Sequence, residues 1–191
     1  MHLSTYNMSR FQRAFLRAPL KTQVLFQDDE YVLKARILNI SEGGVLLENL
    51  PHIPEVAAIP LVLDLPSIPD LLSTPKPQLM HLKLEELDRK IIRVKARLVR
   101  KFEGESEIDA LFVTKIGCEF VKSSEEERAS IREYVARFTK NIVFLLNQFE
   151  SSNKDLEVLR KTAELLGYGG EEKIAFLRQK VLHDYQSLES L

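Results

Sequence analysis

The chain contains a single cysteine, Cys118. No internal disulfide can therefore hold it together, and a lone thiol fits a reducing compartment. No stretch approaches the ~20 apolar residues that span a bilayer. The N-terminus has arginines but no apolar run of signal-peptide length. The expectation is a cytoplasmic protein with no membrane span. Four histidines, His2, His52, His81 and His183, lie scattered along the chain, and no spacing matches a zinc or iron site. Ser41 lacks the Gly-x-Ser-x-Gly elbow of a serine nucleophile. Gly167-Tyr168-Gly169-Gly170 is followed by no lysine–serine pair, so it reads as a helix end and not as a phosphate loop. The formal net charge is −1, which favours neither nucleic acid nor an anionic surface as a partner. No metal, no cofactor and no catalysis are expected.

One absence is local. Residues 1–27 carry Arg10, Arg13, Arg17 and Lys21 without a carboxylate, and the first acid is Asp28. This stretch is either an anion site or a solvated basic arm.

With 191 residues, 45% of them hydrophobic and 29% charged, the chain has the size and composition to bury a core without staples. Residues 22–48 read as β structure. Val24-Leu25-Phe26 and Tyr31 to Leu38 flank the polar turn Gln27-Asp28-Asp29-Glu30. Gly43-Gly44 then feeds Val45-Leu46-Leu47, and two glycines there allow positive φ. Seven of the eight prolines fall between Pro51 and Pro77, so that region is not regular throughout. Leu61 to Leu65 fits a strand and 66–78 an irregular excursion. Met80, Leu82 and Leu84 alternate as in a strand. Ile92, Val94, Ala96 and Leu98 alternate with Arg93, Lys95 and Arg97, a half-buried strand pattern. Glu103 to Asp109 reads as an acidic turn, and Ile116, Cys118 and Phe120 as the last strand, with Cys118 in the core.

The period then changes. Ser124-Glu125-Glu126-Glu127 is a helix start, a serine cap followed by acids at the positive end of the dipole. Ile131, Val135, Phe138, Ile142, Leu145 and Phe149 follow at spacings of 4, 3, 4, 3 and 4, a narrow heptad seam. Ser151-Ser152-Asn153 breaks it. Leu156, Leu159, Ala163 and Leu166 resume the helical spacing, and Ile174, Leu177, Val181 and Tyr185 line one face of a last segment. The division expected is a β unit over 1–123 and a helical extension over 124–191. The seam either joins copies or a partner, or packs back as a hairpin or a lid on the β unit.

Two polar motifs carry the functional content: Arg13-Ala14-Phe15-Leu16-Arg17 and Asn39-Ile40-Ser41-Glu42-Gly43-Gly44. The first sets two guanidinium groups four residues apart, each a rigid fork of donors suited to phosphate or to the O6/N7 edge of guanine. The second offers an amide, a hydroxyl and a backbone able to approach a flat ligand. Between Arg17 and Asn39 lie 21 residues of strand-like sequence, so a hairpin can join the two motifs.

Together they resemble the PilZ domain, a bacterial receptor for cyclic diguanylate, whose pattern is R-x-x-x-R followed by [D/N]-x-S-x-x-G. Arg13 and Arg17 match the first part; Asn39, Ser41 and Gly44 match the second. Ala18-Pro19, and Ile116-Gly117-Cys118-Glu119-Phe120-Val121 before an acidic helix start, also fit. The resemblance covers about residues 10–140. It implies a mainly β fold with α, a six-stranded antiparallel β-barrel followed by a C-terminal helical extension. It further implies a c-di-GMP-binding receptor in bacterial signal transduction, with Arg13, Arg17, Asn39, Ser41 and Gly44 around the nucleotide and a protein partner reading the bound state. Gln12 stands where many members have a further arginine, and Asn39 where aspartate is commoner. The alternative is a nucleotide-independent adaptor or oligomeric scaffold acting through its C-terminal helices, with Ile131, Val135, Phe138, Ile142, Leu145 and Phe149 as the contact between copies.

Overall fold

The computed structural model describes residues 15–54, 56–102, 115–170 and 173–189. Seven antiparallel strands form one sheet: β1 (Arg17–Pro19), β2 (Gln23–Asp28), β3 (Tyr31–Ser41), β4 (Gly44–Glu48), β5 (Ile59–Pro66), β6 (Arg89–Phe102) and β7 (Lys115–Lys122). The order β3-β2-β5-β6-β7-β4 returns to β3 through the β3–β4 pairing. Strands β2 to β7 therefore close a six-stranded barrel, which leaves no open sheet edge among them. Short β1 lies along the far end of β3, on the same edge as β2.

Alternation explains the closure. Ile92, Val94 and Ala96 of β6 and Leu61, Leu63 and Leu65 of β5 are buried, while Arg93, Lys95 and Arg97 are exposed. The clean period-2 pattern thus sets the inner face of the barrel. Two expectations from the proline-rich region differ. Residues 76–81 form a short helix, α1 (Lys76–His81), with Pro77 in its first turn, and Leu84–Glu86 is a single 3₁₀ turn. The alternation of Met80, Leu82 and Leu84 is not a strand, because no neighbouring strand is left to pair with it once β5 pairs with β6.

Helix α2 (Glu125–Glu150) begins at Ser124, whose hydroxyl accepts from Glu127 N–H while the Glu127 carboxylate accepts from Ser124 N–H. This reciprocal cap satisfies two amides that the helix itself leaves unpaired. Ser124→Ala is expected to lower stability by about 1 kcal/mol, readable as a shifted denaturant midpoint with an unchanged slope. The helix ends at Glu150, and α3 (Leu156–Ala163) starts on the Asp155 carboxylate. At the turn that follows, Gly167 has φ 83°, a conformation costly for any residue with a Cβ. Then comes α4 (Ile174–Glu189).

Ile131, Val135, Phe138, Ile142, Leu145 and Phe149 are all buried within the single chain, none more than 6% exposed. They belong to one continuous apolar cluster with barrel residues such as Ala18, Ile40 and Leu65 and tail residues such as Leu159, Leu177 and Val181. The seam thus packs back on the chain. Asn141, a polar residue of α2, is fully buried as well, and its side chain joins Leu71 N–H and the Pro69 carbonyl. That contact fixes the proline-rich excursion to α2. Among the described residues, no helix is long and apolar enough to cross a membrane.

Candidate functional site

Strand β3 is irregular where the second motif begins. Its pairing with β4 shifts between Ile37 and Asn39, leaving Leu38 as an extra residue. Ile37 and Ile40 are both fully buried, although a spacing of three would put them on opposite faces of a regular strand. The bulge resets the alternation. It returns Ile40 to the core and turns Asn39 and Ser41 to the outer face.

β1 then brings the arm to that face. Arg17 lies opposite Ser41 and Pro19 opposite Asn39, while Ala18 faces Ile40 inside. Directly opposed residues share a face with Cβ atoms ~4.5–5.5 Å apart. Arg17, Asn39 and Ser41 therefore stand together although 21 residues separate the two motifs. Phe15, between the two arginines, lies against Gly43, where an added Cβ would meet its ring at 2.8 Å. Arg13, like Gln12, lies outside the described residues, and so does the acidic turn 103–109.

Ser41 and Gly44 face each other across the two-residue turn Glu42-Gly43. The Ser41 hydroxyl donates to the Gly44 carbonyl at 3.3 Å, so it both closes the hairpin and borders the outer face. Neither Gly43 nor Gly44 has positive φ, so the turn does not use the freedom that two glycines allow. Gly44 is needed for a different reason. A Cβ there would sit 2.2 Å from the Cys118 carbonyl of β7, so glycine lets two strand backbones approach where β4 pairs with β7.

Helices wall the site on the other side. Tyr134 of α2 donates to the Pro19 carbonyl at 2.7 Å; burial pushes its phenol well above its ordinary range, so it stays a donor. Lys21 donates to the Gly167 carbonyl at 3.3 Å and lies over the Tyr168 ring at 5.3 Å. Burial lowers its pKa most, with Lys180 and Arg36 acting in the same direction and Asp184 opposing. Tyr168 in turn hydrogen-bonds Asp184 at 2.9 Å. Arg132 of α2 holds both carboxylate oxygens of Glu42 at 3.2 Å. Sequence reasoning missed Arg132 and Tyr134. Tyr134 betrays itself only by sitting three residues after Ile131 on the buried face, and nothing in the sequence links Arg132 to a turn 90 residues earlier.

The arrangement sets the Arg17 guanidinium and the Asn39 amide on one outer face, with the nearly buried Ser41 hydroxyl and an Arg132-paired Glu42 carboxylate at its edge, and cationic donors of this kind suit binding an anion. Cys118 contributes nothing to it: burial pushes its thiol up to about 11, so it is protonated at neutral pH and lies in the core. Two cavities between barrel and helices hold about 110 and 60 Å³. Sites for ligands of drug size hold about 300–1,000 Å³, so neither of these two cavities accommodates a ligand as large as a dinucleotide. Among the described residues, no group of three or more histidine, cysteine or acidic side chains is arranged to hold a metal ion.

The family model for the PilZ domain matches residues 11–137. Among solved structures, the inhibitor of motility MotI/DgrA of Bacillus subtilis is 15% identical, with a TM-score of 0.48 over 74% of this chain and 54% of that chain. The PilZ domain of YcgR from Escherichia coli with c-di-GMP is 15% identical, with a TM-score of 0.41 over 65% of this chain and 88% of that chain. The MrkH–c-di-GMP complex of K. pneumonia is 12% identical, with a TM-score of 0.45 over 73% of this chain and 56% of that chain. This chain thus spans about half the length of MotI/DgrA and of MrkH. No curated protein matches it.

Proposed function

The chain belongs to the PilZ domain family, and from that premise we propose that it is a receptor for cyclic diguanylate, held by Arg13, Arg17, Asn39, Ser41 and Gly44. The observation that carries the reading is the β1–β3 register, with Arg17 opposite Ser41 and Pro19 opposite Asn39 on one outer face. The PilZ domain of YcgR and the protein MrkH, whose folds are similar to this chain, were both solved with c-di-GMP. The arginines supply forks for guanine edges and phosphates, Asn39 and Ser41 supply shorter polar contacts, and Gly44 lets β4 approach β7 behind them.

On this reading residues 1–123 sense the nucleotide and 124–191 report it. The arm is tied to the helices at two points, Tyr134 on Pro19 and Lys21 on Gly167. Ordering of the arm by ligand is thereby felt by α2 and by the turn between α3 and α4, and a protein partner reads the surface of the helices. An oligomeric scaffold that ignores nucleotide is the weaker reading, since the six seam residues that would join copies are covered within one chain.

Calorimetric titration with cyclic diguanylate tests the proposal. Wild type is expected to bind at micromolar concentration or tighter. Arg17→Ala should weaken binding at least tenfold, because a hydrogen bond to a charged group contributes ~1.5–3 kcal/mol. Arg13→Ala/Arg17→Ala should remove measurable binding. A wild-type chain that ignores the nucleotide would overturn the assignment.

A further inference from the structure

The proposed site contains an acid that works against its ligand. Glu42 follows Ser41 directly in the turn between β3 and β4 and adjoins the Arg17–Ser41 pair. Cyclic diguanylate carries two phosphodiester charges, so a bare carboxylate at that corner repels it. The Glu42 carboxylate is not bare. It is only 23% exposed, and the Arg132 guanidinium forks across it through Nε and Nη2. The same Nη2 reaches Glu125 at 2.9 Å, and Glu125 also holds Arg128 at 3.2 Å. Two acids and two arginines make a neutral set. It joins the binding turn to the first two turns of α2, a helix fixed by its cap and by the core beneath it.

Resting on the cyclic diguanylate reading, we propose that Arg132 is a positioning residue of the nucleotide site: it neutralises Glu42 and holds that carboxylate against α2, away from the ligand's phosphates. The helix then sets the affinity of a site built from β1 and β3. Coupling is reciprocal, so a partner that draws Arg132 away weakens nucleotide binding, and bound nucleotide holds α2 in place. The effect of losing Arg132 has to run through Glu42. A residue that touched the ligand itself, or that merely supported the fold, would not behave so.

The test is calorimetric titration of the full chain with cyclic diguanylate, comparing wild type with Arg17→Ala, Arg132→Gln, Glu42→Gln and Arg132→Gln/Glu42→Gln. Arg132→Gln should weaken binding roughly three- to tenfold at low salt, the scale of one screened charge a few ångströms from the ligand. The deficit should shrink in ~0.5 M salt, where screening acts within about 4 Å. The double variant should return to within roughly twofold of Glu42→Gln alone. Thermal midpoints should barely move, since exposed ion pairs contribute little to stability, so folding does not confuse the result. Arg132→Gln binding like wild type, or a double variant as weak as Arg132→Gln, overturns the inference. If Arg17→Ala has meanwhile lost binding, the receptor reading survives that failure; a wild type that does not bind removes both.

Discussion

Gly44→Ala is expected to lower stability by about 3 kcal/mol or more, at the upper end of what overpacking costs, whereas Gly43→Ala should change it by less than ~1 kcal/mol. The contrast follows from what each new methyl group meets. At Gly44 it meets the Cys118 carbonyl at 2.2 Å, a backbone atom already held by the β4–β7 ladder. Neither strand can withdraw, because β4 is also paired with β3 and β7 with β6. Relief requires opening a closed barrel. At Gly43 the methyl group meets only the ring of Phe15 at 2.8 Å, and that ring is 44% exposed and free to swing. Both variants are compared by chemical denaturation and by titration with cyclic diguanylate. Gly43→Ala should keep its fold yet alter affinity, because Phe15 lies between the two arginines. A Gly44→Ala protein as stable as wild type would show that the motif glycine serves the ligand alone.

This pair also marks how far the sequence could be read. Strand positions from Val24 to Leu47 and from Ile92 to Ala96 were legible because a closed barrel enforces period 2 on one buried face. The seam of α2 was legible for the same reason at period 3.6. What covers the seam was not: an apolar stripe has the same spacing whether it meets another copy or its own barrel, and the topology decides. Met80, Leu82 and Leu84 misled because alternation over five residues fits a helix flanked by extended chain as well as a strand.

Arg17, Asn39, Ser41 and Gly44 were proposed as binding residues from motif spacing; what that spacing did not announce is the bulge at Leu38 that puts Asn39 and Ser41 on the face opposite β1. The close approach of β7 to Gly44 was not foreseen, since a backbone across the barrel is invisible to local sequence. Contacts of long sequence separation, such as Arg132 with Glu42, were missed for the same cause. Each partner alone is an ordinary charged residue.

The proline-rich excursion gives the second large effect. Asn141→Leu is expected to lower stability by about 2–4 kcal/mol, since a buried polar group left without a partner costs about 1–3 kcal/mol. Asn141 is fully buried on α2 and uses both ends of its amide: the oxygen accepts from Leu71 N–H at 3.0 Å, and the nitrogen donates to the Pro69 carbonyl at 2.8 Å. Leucine keeps the branched shape, is somewhat larger, and satisfies neither. Water does not readily replace the amide, because Ile68 and Leu71 on either side are buried in the common core. Prolines at 66, 69, 75 and 77 remove four backbone donors from the excursion, so side chains of α2 hold it instead, Asn141 in the core and Lys140 and Arg137 on Asp70 at the surface. A shifted denaturant midpoint at constant slope, with faster hydrogen exchange at the Leu71 amide, is the expected result. Wild-type stability with an exchanging Leu71 amide would mean that the excursion opens without disturbing the core. The anchoring of α2 over the barrel would then rest on its apolar seam and on its direct bonds to the barrel, Tyr134 with Pro19 and Arg132 with Glu42.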